Sequence, residues 1–218
     1  AGVSPQVFVD RVSQNFRDLL ERLHISNDDF IRTTQPRHQE AAQHLWSVLE
    51  ERGHIYLDSY AGWYSMRDEC FYNENEIMDG KAPTGAPVEW VAEESYFFRL
   101  SAWQDKLLDH YKKHKDFVAP TSRLNEVVSF VERGLRDLCI SRSTFRWGIP
   151  VPLHQEKHIM YVWLDALTNY ITAVGYPDIA SSSFQKFWPA NLHVVGKDIL
   201  RFHAVYWPAF LMAAGLPV

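Results

Sequence analysis

Apolar positions first recur at helical spacing. Phe8, Val12, Phe16, Leu19, Leu20 and Leu23 fall on one face behind Ser4-Pro5. A serine N-cap with proline at the first helical position is a helix start, so residues 4–24 are predicted as an amphipathic helix. The run DFIRT (29–33) predicts a short strand, and Ala41, Leu45, Trp46 and Leu49 predict a second helix stopped by Gly53. From His54 to Phe98 come short strand-like segments: HIYLDSY, ECFY, PVEWV and SYFFRL. Asp79-Gly80 and Pro83-Thr84-Gly85 separate them as turns.

Ser101 is predicted to cap a helix carrying Trp103, Leu107, Leu108 and Tyr111. A further helix holds Val127, Val128, Val131 and Leu135, with Gly134 near its end. Beyond it, HIMYVW (158–163) predicts a strand, followed by a helix through Ala166, Tyr170 and Val174 that stops at Gly175. Leu192 to Val195 predict the next strand. The helix after that contains Pro208, which removes one backbone bond and should kink it. The order of elements predicts an α/β fold in three parts: residues 1–53 and 141–218 form one α/β layer, and residues 54–140 are a small α+β insertion.

Composition narrows the function classes. A hydrophobic fraction of 46% and an aromatic fraction of 14% describe a packed globular chain rather than a disordered one. The net charge of -5 supplies no global basic field for nucleic acid or anionic membrane, so RNA contact would need local patches or other segments. Cys70 and Cys139 are the only cysteines, which excludes a disulfide framework and a cysteine-rich zinc cluster within these residues. No apolar run approaches a membrane span and no signal-peptide pattern opens the chain, so it reads as soluble and cytoplasmic, with no membrane partner.

Candidate chemistry concentrates in NLHVVGKDILRFHAVYWPAFLMAA (191–214). Ligand sites of open parallel sheets lie at the carboxyl ends of strands, and this stretch has that layout. Asp198 opens its helix, where a carboxylate can accept bonds from free backbone amides or from a sugar hydroxyl. His203 and Trp207 are four apart and share a face. If the two β–α units are parallel neighbours, Trp163 at the end of its strand faces both. That makes an aromatic slot with one polar member, suited to a polarizable thioether. Spacing alone leaves an ordinary aromatic core and a capping aspartate equally open.

Arg142 precedes the rigid WGIPVP segment (147–152), and an arginine beside a pocket can grip a carboxylate bidentately; a surface arginine is the plain alternative. The acidic pairs Asp68-Glu69 and Glu93-Glu94 read as solvated or locally paired, and Lys112-Lys113-His114-Lys115 as a solvated helix end. The ten histidines include no helix-spaced pair with a third ligand nearby, and Cys70 has no partner cysteine, so no metal site is predicted. No glycine-rich phosphate cradle, Walker motif or GxGxxG occurs.

Eight stretches together resemble methionyl-tRNA synthetases, a class I aminoacyl-tRNA synthetase family. They are DDFIRTT (28–34), GWYS (62–65), SYFFRLS (95–101), LNEVVSFV (124–131), LRDLCISR (135–142), WGIPVP (147–152), YVWLDAL (161–167) and GKDILRFHAVYWPAFL (196–211). They extend over nearly the whole chain in the family's order. The resemblance implies a ligase that activates methionine with ATP, accompanied by Mg2+, to methionyl-adenylate and transfers it to tRNA(Met). It implies a methionine pocket of Trp163, Leu167, Tyr170, His203 and Trp207, supported by Phe202 and Tyr206. Gly196 and Asp198 are implied as ribose contacts of the adenylate. Arg142 is implied to organise the amino-acid site by pairing with an acid that precedes this chain. Asp198 and Arg142 are thus the expected catalytic pair.

Two departures from the family accompany this. The stretch Met66-Arg67-Asp68-Glu69-Cys70 lacks the Cys-x-x-Cys of zinc knuckles, so a zinc-free connective domain is expected, packed through Trp63, Tyr64, Phe71 and Tyr72. The HIGH and KMSKS motifs, which handle ATP and charge in the family, are missing. The chain is therefore expected to be an internal fragment: part of a Rossmann-like catalytic domain (1–53), the connective domain (54–140) and the second half of the catalytic domain (141–218). In the family's strand order 3-2-1-4-5 it would supply strands 3, 4 and 5, and alone it is expected to be inactive. Two other readings remain open at this point. One is a class I synthetase for another aliphatic amino acid, disfavoured by the short insertion. The other is a non-catalytic RNA-binding or assembly module.

Overall fold

The computed structural model describes residues 2–67, 70–72, 74–143, 146–153 and 157–218. Helix α1 (Pro5–Arg22) begins as its sequence predicts, with Ser4 Oγ accepting a bond from the Val7 amide at 3.4 Å and proline in the first turn. Its apolar face nevertheless buries nothing: Phe16 and Leu23 are each 59% exposed. Helix α2 (Pro36–Glu51) ends before Gly53 (φ +74°) and behaves oppositely, burying His38, Ala41, Ala42, Leu45, Trp46 and Leu49.

Four strands follow in an antiparallel sheet of order β2-β1-β3-β4: β1 (Ile55–Ser65), β2 (Cys70–Tyr72), β3 (Glu89–Phe98) and β4 (Leu138–Cys139). PVEWV and SYFFRL, predicted apart, join into β3, which runs in register with β1 from Ile55↔Phe98 to Tyr64↔Glu89. Asp79 (φ +51°) and Gly80 (φ +71°) form a two-residue turn between bridged Met78 and Lys81. Both turn residues are left-handed, the geometry that matches strand twist. Helices α3 (Gln104–Lys113) and α4 (Thr121–Glu132) pack against each other after the sheet. A second antiparallel pair, β5 (Ser141–Arg142) with β6 (Ile159–Met160), leads into α5 (Val162–Thr172), α6 (Ser182–Phe187) and the closing helix α7 (Trp207–Ala214).

The fold is mixed α/β, with both sheets antiparallel, and several local expectations need correcting. DFIRT and Leu192–Val195 are not strands: a strand exists only through a neighbour's hydrogen bonds, and no described strand runs beside either. Leu192 and Val194 are accordingly 77% and 88% exposed. HIMYVW is strand only at Ile159–Met160; Tyr161 (ψ 139°) is already the N-cap of α5, so Trp163 sits in a helix's first turn and not at a strand's end. Ser101 does not cap α3. It lies in the 3-10 turn Leu100–Trp103, and both its amide and its hydroxyl donate to Asp137 Oδ1, at 3.1 and 2.6 Å.

One contiguous core joins α2, the inner ends of β1 and β3, α3, α4, α5 and α7, through Trp46, Phe98, Leu107, Val131, Ile171 and Phe210. Helices α2 and α5 are further tied by His38, buried, whose Nε2 lies 2.7 Å from Asp165 Oδ1 and whose Nδ1 lies 3.2 Å from Thr172 Oγ1. At the chain's end, Gly215 caps α7 in the left-handed region (φ +73°). A Cβ there would lie 2.5 Å from the Arg52 guanidinium, which fits glycine on both counts.

Candidate functional site

Helix α5 and the irregular helix before α7 build the slot. Trp163, Leu167 and Tyr170 follow one another at intervals of four and three, so they share a face of α5. Opposite them, residues 202–206 form a π-helical turn in which the Trp207 amide bonds to Phe202 O, five residues back. The turn abuts Pro208, which has no N–H to give Ala204 O, its α-helical acceptor. Tyr111 Oη of α3 donates to that carbonyl at 2.6 Å instead. The predicted kink is thus a π turn with a side chain serving the vacated carbonyl.

This brings the expected pocket residues together, although Trp163 arrives on a helix. The Trp163 and Phe202 rings stack at 3.7 Å and 8°, and Trp163 meets His203 edge-on at 6.2 Å. Tyr206 packs edge-on against Phe202 at 5.4 Å, and Tyr170 lies 6.3 Å from Trp207. Leu167 is buried in the core behind them, 1% exposed. The polar member is fixed from both sides: His203 Nδ1 lies 2.9 Å from Ile199 O, and Nε2 lies 2.7 Å from Tyr170 Oη. A carbonyl only accepts, so Nδ1 carries a proton, and in the Nδ1–H tautomer of the neutral ring Nε2 accepts from the tyrosine hydroxyl. Burial pushes the Tyr170 and Tyr206 phenols upward, which keeps Tyr170 a donor.

Two members went unread in the sequence. His193 packs edge-on against Tyr170 at 4.4 Å and lies 6.2 Å from Trp188. Trp188 in turn crosses Trp207 at 6.0 Å and 73°. Burial first, then the nearby His203, lower the His193 pKa below its ordinary value and favour a neutral ring. Both residues lie in or beside irregular backbone, where no periodicity marks them. The one usable signal was aromatic density just before the Gly-Lys-Asp turn. The indole N–H of buried Trp207 has no hydrogen-bond partner among the described residues.

The turn end differs. Gly196 (φ -66°, ψ 149°) precedes the 3-10 turn Lys197–Ile199, with open space where a Cβ would stand. Asp198 is exposed on that turn, and its side chain makes no helix-capping bond among the described residues, which leaves the sugar-hydroxyl role of the two open for it. Arg142 lies on β5, half-buried. Its Nη1 donates to Ser141 O at 2.9 Å and to Cys139 Sγ at 3.1 Å, and its guanidinium lies over the Tyr161 ring at 4.7 Å. No carboxylate pairs with it among the described residues.

Other expectations fall elsewhere. Glu94 pairs with Lys157, while the Glu93 side chain is outside the described residues. So are residues 68 and 69 and the side chains of Cys70 and Phe71, on which the zinc-free expectation rests. Among the described residues no three metal-ligating side chains converge, and no helix is long and apolar enough to cross a membrane. An open cleft of about 110 Å³ is lined by Thr33, Gln39, Trp147 and Asp165; no residue of the slot lines it.

A family profile described as "tRNA synthetases class I (M)" matches residues 1–87 and 81–218. The chain is 63% identical over 217 residues to a methionine–tRNA ligase of Rickettsia prowazekii (strain Madrid E), covering 99% of this chain and 42% of that protein. It is 60% identical over 222 residues to one of Rhizobium meliloti, covering all of this chain and 43% of the relative. Among solved structures, Mycobacterium tuberculosis methionyl-tRNA synthetase bound by methionyl-adenylate superposes with a TM-score of 0.93 at 55% identity, over all of this chain and 44% of that one. The chain therefore spans less than half the length of these relatives.

Proposed function

We propose, from the premise that the chain belongs to the class I tRNA synthetase family designated (M), that it carries the methionine-recognising part of a methionine–tRNA ligase. The intact protein would activate methionine with ATP to methionyl-adenylate and pass the methionyl group to tRNA(Met) in the cytoplasm. The observation that carries this is the slot itself: a wall of stacked rings from α5 and the π turn, with the His203 imidazole held between Tyr170 and Ile199 O. Such a slot rewards a flexible, polarizable, uncharged side chain, and sulfur-to-ring contacts are favourable. Relatives named for methionine and a neighbour solved with methionyl-adenylate support the same reading.

Within it, Trp163, Leu167, Tyr170, Phe202, Tyr206 and Trp207 would enclose the methionine side chain, with His203 beside the sulfur. Gly196 offers open backbone and Asp198 an exposed carboxylate at the turn, the pair suited to accept a ribose. Arg142, which meets no carboxylate among the described residues, would pair with one supplied by the remainder of the protein. ATP would bring Mg2+ with it, and residues 54–140 would act as the connective domain without zinc. ATP–pyrophosphate exchange with the full-length gene product and the complete amino-acid panel tests the reading. Exchange driven by methionine alone is expected. Exchange driven by another aliphatic amino acid, or none from folded protein, would overturn it. Stoichiometric zinc in the purified protein would overturn the zinc-free part.

A further inference from the structure

The π turn that presents His203 to the slot leaves a backbone acceptor in want of a donor. The Trp207 amide reaches back to Phe202 O, and position 208 is proline, so Ala204 O has lost the partner an α-helix would give it. That carbonyl is buried, where an unmade hydrogen bond is costly. Its donor comes from far away in sequence. Tyr111, 3% exposed on α3 in the inserted segment, reaches across with its hydroxyl at 2.6 Å. Ala204 follows His203 directly, so the tyrosine acts on the peptide unit next to the slot's polar member. We propose that Tyr111 is a positioning residue: its hydroxyl latches the π turn at Ala204 and so sets the His203 imidazole against Tyr170.

The helix around this latch is otherwise well supported. Arg201 lies over the Phe130 ring of α4 at 4.1 Å, so α4 also grips the turn from the insertion's side. The Tyr111 hydroxyl is the side-chain donor that serves the carbonyl Pro208 vacates. The latch makes the amino-acid end of the site depend on α3, while the Lys197–Ile199 turn meets it through the His203 Nδ1 contact with Ile199 O. Phenylalanine at 111 keeps the ring in the core and removes that hydroxyl donor.

The inference rests on the methionine-slot reading for its kinetic arm and on geometry alone for its spectroscopic arm. The full-length protein and its Tyr111→Phe, Pro208→Ala and doubly substituted forms are compared by methionine-dependent pyrophosphate exchange and by NMR of 15N-histidine-labelled protein. With Tyr111→Phe the methionine KM is expected to rise about tenfold, the effect of one lost hydrogen bond at a buried site, with the ATP KM unchanged. The His203 ring resonances should shift in the same sample. Pro208→Ala restores an N–H beside Ala204 O, so Tyr111→Phe should do less in that background. Unmoved His203 resonances would overturn the proposal whether or not the protein activates methionine. An equal rise in both KM values would also overturn it, since that marks general loosening. Absence of exchange in the unsubstituted protein would sink the slot reading alone, because the His203 resonances still decide the latch.

Discussion

The two ends of the site are built differently. At the aromatic end, Trp163, Phe202, His203, Tyr170 and Trp207 touch one another and the core, and each ring's position depends on its neighbours. At the turn end, Gly196 and Asp198 stand exposed on or beside a 3-10 turn, with open space where a Gly196 Cβ would stand. The difference teaches where binding and stability are coupled. A substitution in the rings disturbs packing and ligand together, whereas one on the turn can remove a ligand contact and leave folding alone.

The largest effect that would expose this contrast is Trp207→Ala. Emptying a buried indole site should cost about 3–5 kcal/mol in urea unfolding, and a cost below about 1 kcal/mol would mean the rings do not support one another. Next, Asp198→Ala should cut ATP–pyrophosphate exchange about 100-fold, the loss of a charged hydrogen bond to ligand, with an unchanged unfolding midpoint. A parallel drop in stability would erase the distinction between the ends. His203→Ala should raise the methionine KM about tenfold with a smaller effect on ATP; a Tyr170→Phe enzyme should move the same way but less, since the imidazole remains.

The smallest expected effect depends on pH. Burial holds His193, His110 and His54 below their ordinary 6.5 in the fold. Below pH 6.5 the unfolded chain therefore binds protons that the folded chain refuses. Stability should be full above that pH and fall as pH drops from 6.5 toward the folded values. His193→Phe should flatten the fall slightly while keeping an aromatic edge on Tyr170. Melting temperatures at pH 7.5 and 5.5 decide it, and identical slopes would show that His193 titrates freely.

Elements whose evidence is local were legible in the sequence. The Ser4-Pro5 start, the Gly53 and Gly175 stops and the Asp79-Gly80 turn all stand where their residues predict. Helical spacing marks only His203 and Trp207 of the slot as sharing a face, while Trp163 is expected at a strand's end and Tyr170 enters through the family resemblance. Trp163 reached it by another route, as a first-turn residue of α5. Strands were the weak point, since DFIRT and LHVV have strand composition and no neighbour to pair with among the described residues. The same limit explains α1 and α2: both begin with proline and carry an apolar stripe, yet α2 buries six side chains and α1 none. Amphipathic pattern records which face can be buried, and only tertiary neighbours decide whether it is.

The crossed Trp188 and Trp207 indoles have an optical consequence. Two identical chromophores held close and out of plane share their excited states and give a chiral couplet in circular dichroism. Rotation of either ring on ligand entry would change its sign or size. The aromatic end of the site thus contains its own reporter, readable without label or turnover.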